Sequence, residues 1–351
     1  GGASCPSLLL EPSRTNLVTQ SEYFGDSYWT KSGTSVTSGF TSPEGLSNAY
    51  KLVEDTSSGF HRLYSGIVST IVSNTYTTSV YAKAGERNWV FIEGPSGYTA
   101  YFDLTNGVKG TIAGGTATIT PMGNGWYRCT LNWVAQSSNT RHFVYTATSD
   151  GLNSYIGDGT SGLYIYGATI EAGSYPTSYI PTYGTSASRA VDNGYKALPD
   201  SILGADYNEG TLFFEAELNQ EAITRAVSIV SPFWTTSSVR IECTPSTGLF
   251  ACDIVNAGVG ATGTTISVSP LSKGDTIKCA LAWNNGSFVF YANGQSTSGT
   301  CPIMTTKINN LYLNRLGTFG GGGNYASNDF KQVLAFPTAL TNAELAALTT
   351  I

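Results

Sequence analysis

Asn285-Gly-Ser-Phe-Val-Phe-Tyr-Ala-Asn-Gly294 is a strand framed by its own turns. Each Asn-Gly pair offers two residues that tolerate positive φ, which a tight two-residue hairpin requires. The six residues between the pairs are rich in aromatic and β-branched side chains. The pattern recurs outward from this point. Asp275-Thr-Ile-Lys-Cys-Ala-Leu-Ala-Trp283 and Thr211-Leu-Phe-Phe-Glu-Ala-Glu-Leu218 read as strands. In the first half, Thr75-Tyr-Thr-Thr-Ser-Val-Tyr-Ala-Lys83 places Tyr76, Thr78, Val80 and Ala82 on one face. Thr77, Ser79, Tyr81 and Lys83 take the other. Tyr101–Val108 runs into Asn106-Gly107, which predicts another type I′ hairpin. Gly123–Leu131 is a turn feeding a strand, and Gly162–Glu171 sets Leu163 and Ile165 against Tyr164 and Tyr166. One helix is predicted. Thr341-Asn-Ala-Glu344 forms a capping box that opens Asn342–Thr349, with Leu345 and Leu348 available to pack.

A chain of 351 residues is comfortable for two hydrophobic cores. Charged residues make up 12%, about half of ordinary usage, while aromatics also reach 12%. Disordered chains lack such aromatics, so the low charge points to short strands whose outer faces carry Ser, Thr, Asn and Tyr. The boundary is expected near residues 185–200, because Tyr183–Gly194 is small, polar and short of large apolar residues. The expected architecture is therefore all-β: two consecutive antiparallel β-sandwich (jelly-roll) domains, residues 1–191 and 192–351, with one short C-terminal helix.

The net charge of −6 and the absence of a Lys/Arg run argue against nucleic acid as a partner. No stretch is long and apolar enough to span a bilayer, so membrane insertion is not expected. The start at Gly1, without Met, is that expected of a processed product or of a piece cut from a longer chain, so localisation must come from elsewhere. Cys5, Cys129, Cys243, Cys252, Cys279 and Cys301 form no C-x-x-C pair, and His61 and His142 lie near none of them, so a zinc site has little support. The plain reading is small buried hydrophobes. If a bridge forms, Cys243–Cys252 is the pair a hairpin could bring together. There is no G-x-S-x-G elbow, no H-E-x-x-H and no phosphate-cradling loop. Glu215 and Glu217 share a strand face, as a glycosidase acid pair would, but this spacing is common by chance. Catalysis is not expected.

Several segments of residues 8–192 resemble, in order, a carbohydrate-binding-module-like jelly roll that recurs in phage tail-fibre and head-fibre proteins. They are Leu8-Leu-Leu-Glu-Pro-Ser-Arg-Thr-Asn-Leu17, Tyr76–Ala84, Gly123-Asn-Gly-Trp-Tyr-Arg128 and Gly167–Thr182. Residues 200–351 resemble a concanavalin-A-like (laminin-G-like) lectin sandwich through Trp283–Gly294, Leu311–Gly317 and Ala339–Leu348. The resemblance implies a non-catalytic, receptor-recognising part of a phage fibre or related virion surface protein. It would be extracellular, homotrimeric, and bound to bacterial cell-surface glycan and to other virion proteins. The alternatives are a polysaccharide depolymerase with a binding module, and a structural virion decoration.

Sugar rings need aromatic faces for their C–H side and planar polar groups for their hydroxyls. Trp29, Trp89, Tyr98 and the neighbours His61 and Arg62 are the candidate ligand residues of the first domain, with Trp234 and Arg240 in the second. Core packing is the alternative for each tryptophan. Trp126 opens the resembling Trp-Tyr-Arg strand and reads as structural, Trp133 is a further aromatic candidate, and Trp283, at a strand end, reads as core. Gly320-Gly-Gly-Gly-Asn-Tyr325 could be a binding rim or simply a solvent-exposed connection. Glu11 and Arg14, against Glu171 and Arg189, could pair between the first and last strands. No cofactor is required, although Asp150, Asp158 and Glu171 could supply oxygens to a structural Ca²⁺.

Overall fold

The computed structural model describes residues 8–190, 192, 194–198, 207–218, 225–230, 237–244, 247–256, 260–272, 274–304, 308, 310–313 and 328–351. Its contacts divide the chain into two compact units, Ser13–Ala190 and Gly1–Pro12 with Val191–Ile351. The sequence reading assigns residues 1–12 to the first domain, but the strand Leu8–Leu10 pairs with Asn328–Phe336 of the second unit. Strand pairing, not proximity in sequence, decides its place.

The Ser13–Ala190 unit holds two six-stranded antiparallel sheets. One runs in the order Val108–Ala113, Thr99–Asp103, Trp89–Glu93, Phe143–Ala147, Arg62–Tyr64, Thr30–Ser32. The other runs Thr116–Pro121, Trp126–Val134, Thr75–Lys83, Gly162–Ala172, Ala49–Glu54, Thr34–Phe40. Val90, Ile92, Phe102 and Val144 of the first sheet meet Val80, Leu131, Leu163 and Ile165 of the second in one core. This is the packing of two alternating faces expected of a sandwich. Thr75–Lys83 follows its predicted alternation: Tyr76, Val80 and Ala82 enter this core, and Tyr81 joins Trp126 and Tyr166 on the other side. In Gly162–Ala172 a register shift between Tyr166 and Thr169, with Gly167 at φ 58°, inserts a residue and lets Ala168 and Ile170 rejoin the core.

The segments that carry the family resemblance act as fastenings. Arg128 Nε donates to Ser79 Oγ at 3.1 Å and its guanidinium lies over the Tyr81 ring at 5.3 Å. Its Nη1 donates to Thr177 O, and its Nη2 stands 3.8 Å from Glu171 Oε1. Glu171 is fully buried and accepts from Thr177 Oγ1 at 2.7 Å. The Trp-Tyr-Arg strand thus ties the closing segment to the sheet. Of the four expected ion-pair residues, Arg14 acts on Glu171 through its charge. Arg14 lies opposite Arg189 in a short antiparallel ribbon and stacks on Tyr175, while Glu11 belongs to the other unit.

The second unit also holds two six-stranded sheets, Leu8–Leu10, Asn328–Phe336, Glu209–Leu218, Thr276–Asn284, Ser287–Ala292, Gln295–Thr300 and Gly194–Ala197, Asn310–Leu313, Arg225–Val230, Ser237–Thr244, Leu249–Asn256, Gly260–Ser267. Leu212, Phe214, Leu281 and Phe290 face Val239, Ile241, Phe250 and Ile254 across its core. Asn285-Gly286 and Asn293-Gly294 have positive φ at both residues, as the tight turns demand. Asn106-Gly107 differs. Only Gly107 has positive φ. Asp103 pairs with Val108 across a longer loop, and its Oδ1 accepts from the amides of Thr105 and Asn106 at 2.8 and 3.2 Å. The aspartate side chain lengthens the turn.

The helix Asn342–Thr349 starts at its predicted capping box: Glu344 N donates to Thr341 Oγ1, and Thr341 N donates to Glu344 Oε2 at 2.8 Å. It buries Leu345 against Phe213, Ala280 and Ala282. Among the described residues no helix is long and apolar enough to cross a membrane. Among the described residues no two cysteines are joined by a disulfide. The antiparallel register sets Cys243 opposite Phe250 and Cys252 opposite Ile241, so the Cys243–Cys252 pair is not bridged. Cys5 lies outside the described residues.

Candidate functional site

The first sheet of the Ser13–Ala190 unit sends its aliphatic positions into the core, and a period of two forces the alternate positions outward. Aromatic residues dominate the middle of that outward face. Register aligns Tyr101, Phe91, Tyr145 and Arg62 in one row across four strands, with Thr99, Glu93, Phe143 and Tyr64 in the next. Phe91 lies 4.4 Å from Tyr101 and 5.0 Å from Tyr145 between ring centroids. Phe91, Tyr101 and Tyr145 are buried by their neighbours, whereas Trp89, Phe143, Tyr64 and Arg62 keep part of their surface in water. Phe60 at the border is 48% exposed.

Arg62 is the polar centre of this face. Its guanidinium lies 5.5–5.7 Å from the ring centroids of Phe60, Tyr64, Phe143 and Tyr145. Such stacking lets a cation sit among apolar rings. Nη1 donates to the Tyr145 hydroxyl at 2.9 Å, and that hydroxyl donates to Glu93 Oε2. Burial pushes the Tyr145 phenol well above its ordinary range and the Glu93 bond raises it further, against the opposing pull of Arg62. Tyr145 therefore stays neutral and relays between the two charges. Arg62 Nε is buried with no hydrogen-bond partner among the described residues.

Beyond Phe143 the face continues into a pocket of about 340 Å³ lined by Ile67, Pro95, Asn139, Thr140, Arg141 and Phe143. Arg141 lies over the Tyr64 ring at 5.4 Å and donates to Ser65 O at 2.8 Å, which fixes its reach. Flat apolar rings flanked by guanidinium, amide and carboxylate groups can stack on a sugar ring and hold its hydroxyls.

Of the candidate residues, Arg62 and Trp89 share this face. Trp89 is the one described tryptophan that is not buried. Tyr98 sits at the end of the adjoining hairpin, its ring laid on Gly114 and Gly115, a packing role. Trp29 is not a ligand residue. It is 1% exposed, packs against Phe24 at 5.0 Å and donates from Nε1 to Gln20 O at 2.7 Å. Its polar-looking surroundings fold over it. His61 is fully buried, with Nδ1 2.7 Å from Gly33 O and Nε2 3.3 Å from Tyr155 O. Trp133 is buried, stacks on Tyr76 and donates to Thr78 Oγ1. Trp126 and Trp283 are buried too. In the second unit, Arg240 is held by Asp253 and by Glu242 at 3.0 Å. Trp234 and Gly320–Tyr325 lie outside the described residues.

The three candidate Ca²⁺ ligands are not brought together. Asp150 accepts from Thr111 N and Oγ1, Asp158 from the amides and hydroxyls of Thr160 and Ser161, and Glu171 from Thr177. Among the described residues no group of three His, Cys, Asp or Glu could hold a metal. Glu215 accepts from Gln332, and Glu217 faces Lys331 at 3.3 Å.

Tyr145, Glu93, Phe143 and Tyr64 were missing from the sequence reading. The signal was present in Arg62-Leu-Tyr64 and Phe143-Val-Tyr145. In both, an aliphatic residue is flanked by aromatic or cationic ones, the pattern of a strand whose outer face is not ordinary surface.

The protein belongs to the all-β class, with one antiparallel sandwich in each unit. No family model matches the sequence, and no curated protein does. Solved structures match parts of it. The sialidase CBM40 of Ruminococcus gnavus bound to alpha2,6 sialyllactose is 15% identical, with TM-score 0.34, over 40% of this chain and 83% of that one. The heptameric SAP-like pentraxin of Limulus polyphemus is 14% identical, with TM-score 0.33, over 41% and 70%. The NanB sialidase of Streptococcus pneumoniae is 15% identical, with TM-score 0.35, over 45% and 28%.

Proposed function

We propose that the Ser13–Ala190 unit is a non-catalytic carbohydrate-binding module that docks a bacterial surface glycan on its outward aromatic sheet face. The observation that supports this most is the Arg62–Tyr145–Glu93 relay set among Phe60, Tyr64 and Phe143. A sugar ring stacks on Phe143, where Arg141, Asn139 and Arg62 hold its hydroxyls, and Trp89, four residues along the strand from the partner of Phe143, meets a further ring of the same glycan chain. Side chains alone make the site, with no cofactor.

The wider reading places the chain at the surface of a phage particle, as the receptor-recognising end of a homotrimeric fibre packed against other virion proteins. The support is the sequence resemblance of residues 8–192. Three weak sites on one axis add through effective concentration.

Glycan-array and whole-cell binding by the intact chain test the proposal. Phe143→Ala or Trp89→Ala is expected to weaken binding roughly fivefold, since a lost ring contact is worth about 1 kcal/mol, with little change in Tm. Retained binding in both variants, or an empty array together with no cell binding, overturns it.

A further inference from the structure

A second pocket of the same unit lies on other elements and has different chemistry. Gln20, Glu22, Tyr23, Ser38, Ser47, Asn48, Tyr50 and Tyr183 line about 510 Å³. Three of these are tyrosines, and two are open to water: Tyr23 is 57% and Tyr183 71% exposed. Tyr50 meets Tyr23 edge-on at 6.3 Å between centroids.

The charged group lining this pocket is an acceptor, the Glu22 carboxylate. Glu22 Oε1 accepts from Tyr166 OH at 3.0 Å, and Oε2 accepts from Tyr183 OH at 3.0 Å. Asn48 Nδ2 approaches Oε2 only at 3.5 Å. Asn48 Oδ1 is buried and has no hydrogen-bond partner among the described residues. An acceptor in that state is costly unless a donor arrives. Glu44 adds a second negative charge, felt at Tyr183. No Lys or Arg lines the pocket. Lys31 is engaged elsewhere, donating to the carbonyls of Gly25 and Asp26 at 3.1 and 2.9 Å.

A carboxylate, an unmet amide oxygen and tyrosine rings together describe a receptor for an organic cation. Ring faces attract ammonium groups, and more strongly once water is excluded. The hydroxyls of Ser38 and Ser47 and the amide of Gln20 add the small polar contacts that sugar hydroxyls use. We infer that this pocket binds an amino sugar through its protonated amine, with Glu22 and Asn48 Oδ1 taking the N–H groups and Tyr23, Tyr50 and Tyr183 forming the wall. The pocket discriminates against anionic sugars, because its two nearby carboxylates repel them.

The pocket is independent of the Phe143 face, so the two readings fail separately. The test is calorimetric titration of the full chain with a glucosamine tetramer at mildly acidic pH, where the amine is charged. The fully N-acetylated tetramer and sialyllactose serve as comparisons. The free-amine tetramer is expected to bind at least tenfold more tightly than the acetylated one, with no binding of sialyllactose. Glu22→Gln should remove that preference. Tyr23→Ala, at an exposed position that leaves Glu22 untouched, should weaken binding several-fold with Tm unchanged. Phe143→Ala should have no effect on this ligand. Equal or tighter binding of the acetylated tetramer, no binding of the free-amine tetramer, or an unchanged preference in a folded Glu22→Gln protein overturns the inference.

Discussion

Arg62 and Tyr145 stand directly opposite each other on adjacent antiparallel strands, and Arg62 Nη1 donates to the Tyr145 hydroxyl at 2.9 Å. The hydroxyl passes the interaction to Glu93. Replacing Tyr145 by Phe keeps the ring and deletes the relay, leaving two charged groups less well satisfied. The expected cost is about 1–3 kcal/mol, read from urea unfolding. A stability equal to wild type would show that water replaces the hydroxyl without loss.

Trp29 separates a ligand role from a structural one. Its ring is sealed beneath Phe24 and Tyr28, and its indole N–H anchors the Gln20 carbonyl. Trp29→Ala should cost roughly 3–5 kcal/mol, the range for large aromatic truncations in cores. Chemical denaturation measures it. A loss of glycan binding with unchanged stability would contradict this placement.

His142 gives the unit an acid sensitivity. Burial lowers its imidazole to about 4, opposed in part by its bond to Ser79 O at 3.0 Å. The unfolded histidine titrates near 6.5. The folded state therefore binds fewer protons, and the contribution is complete above the unfolded value. It is lost as pH falls from about 6.5 toward the folded value, by roughly 3 kcal/mol in total. Stability measured across this window should slope downward with acid, and His142→Asn should flatten the slope.

Glu171 has the opposite sign. Burial raises its carboxyl, and Thr177 and Arg128 compensate only in part. The folded state thus holds this proton more firmly than the unfolded chain, and the ionised group weighs against folding at neutral pH. Arg128→Met should destabilise by about 3–5 kcal/mol at neutral pH, because it strands a buried charge. Glu171→Gln in the same background should recover much of that loss. Thermal melts of the two single variants and the double variant form the cycle that checks it.

The fold was legible wherever local chemistry and tertiary burial agree. Asn285-Gly286, Asn293-Gly294, the Thr341–Glu344 capping box and the alternation of Thr75–Lys83 each encode one outcome, because a turn, a cap or a pleat satisfies them within a few residues. Asn106-Gly107 misled because Asp103, three residues earlier, competes for the amides of the turn. The site was legible only in Arg62 and Trp89. Both lie on strands that share the distant partner Phe143–Ala147, so Tyr145 and Glu93 become neighbours through register alone. Trp29 was misread because the polarity of Tyr23–Tyr28 says nothing about which ring the loop closes over.

With Leu8 opposite Phe330, a strand that precedes the Ser13–Ala190 unit finds its partner only after that whole unit has been made. The Ser13–Ala190 unit is thus a guest spliced into a host. Its own ends already meet, with Thr15 beside Ser188, while Glu11 and Asp192 clasp each other on the host side. During synthesis the guest can finish folding on its own contacts, and the host must wait for its C-terminal strands. Excising residues 13–190 and joining the two cut ends with a short Gly-Ser bridge should leave a host that still folds. The liberated guest should also fold as a separate, soluble piece.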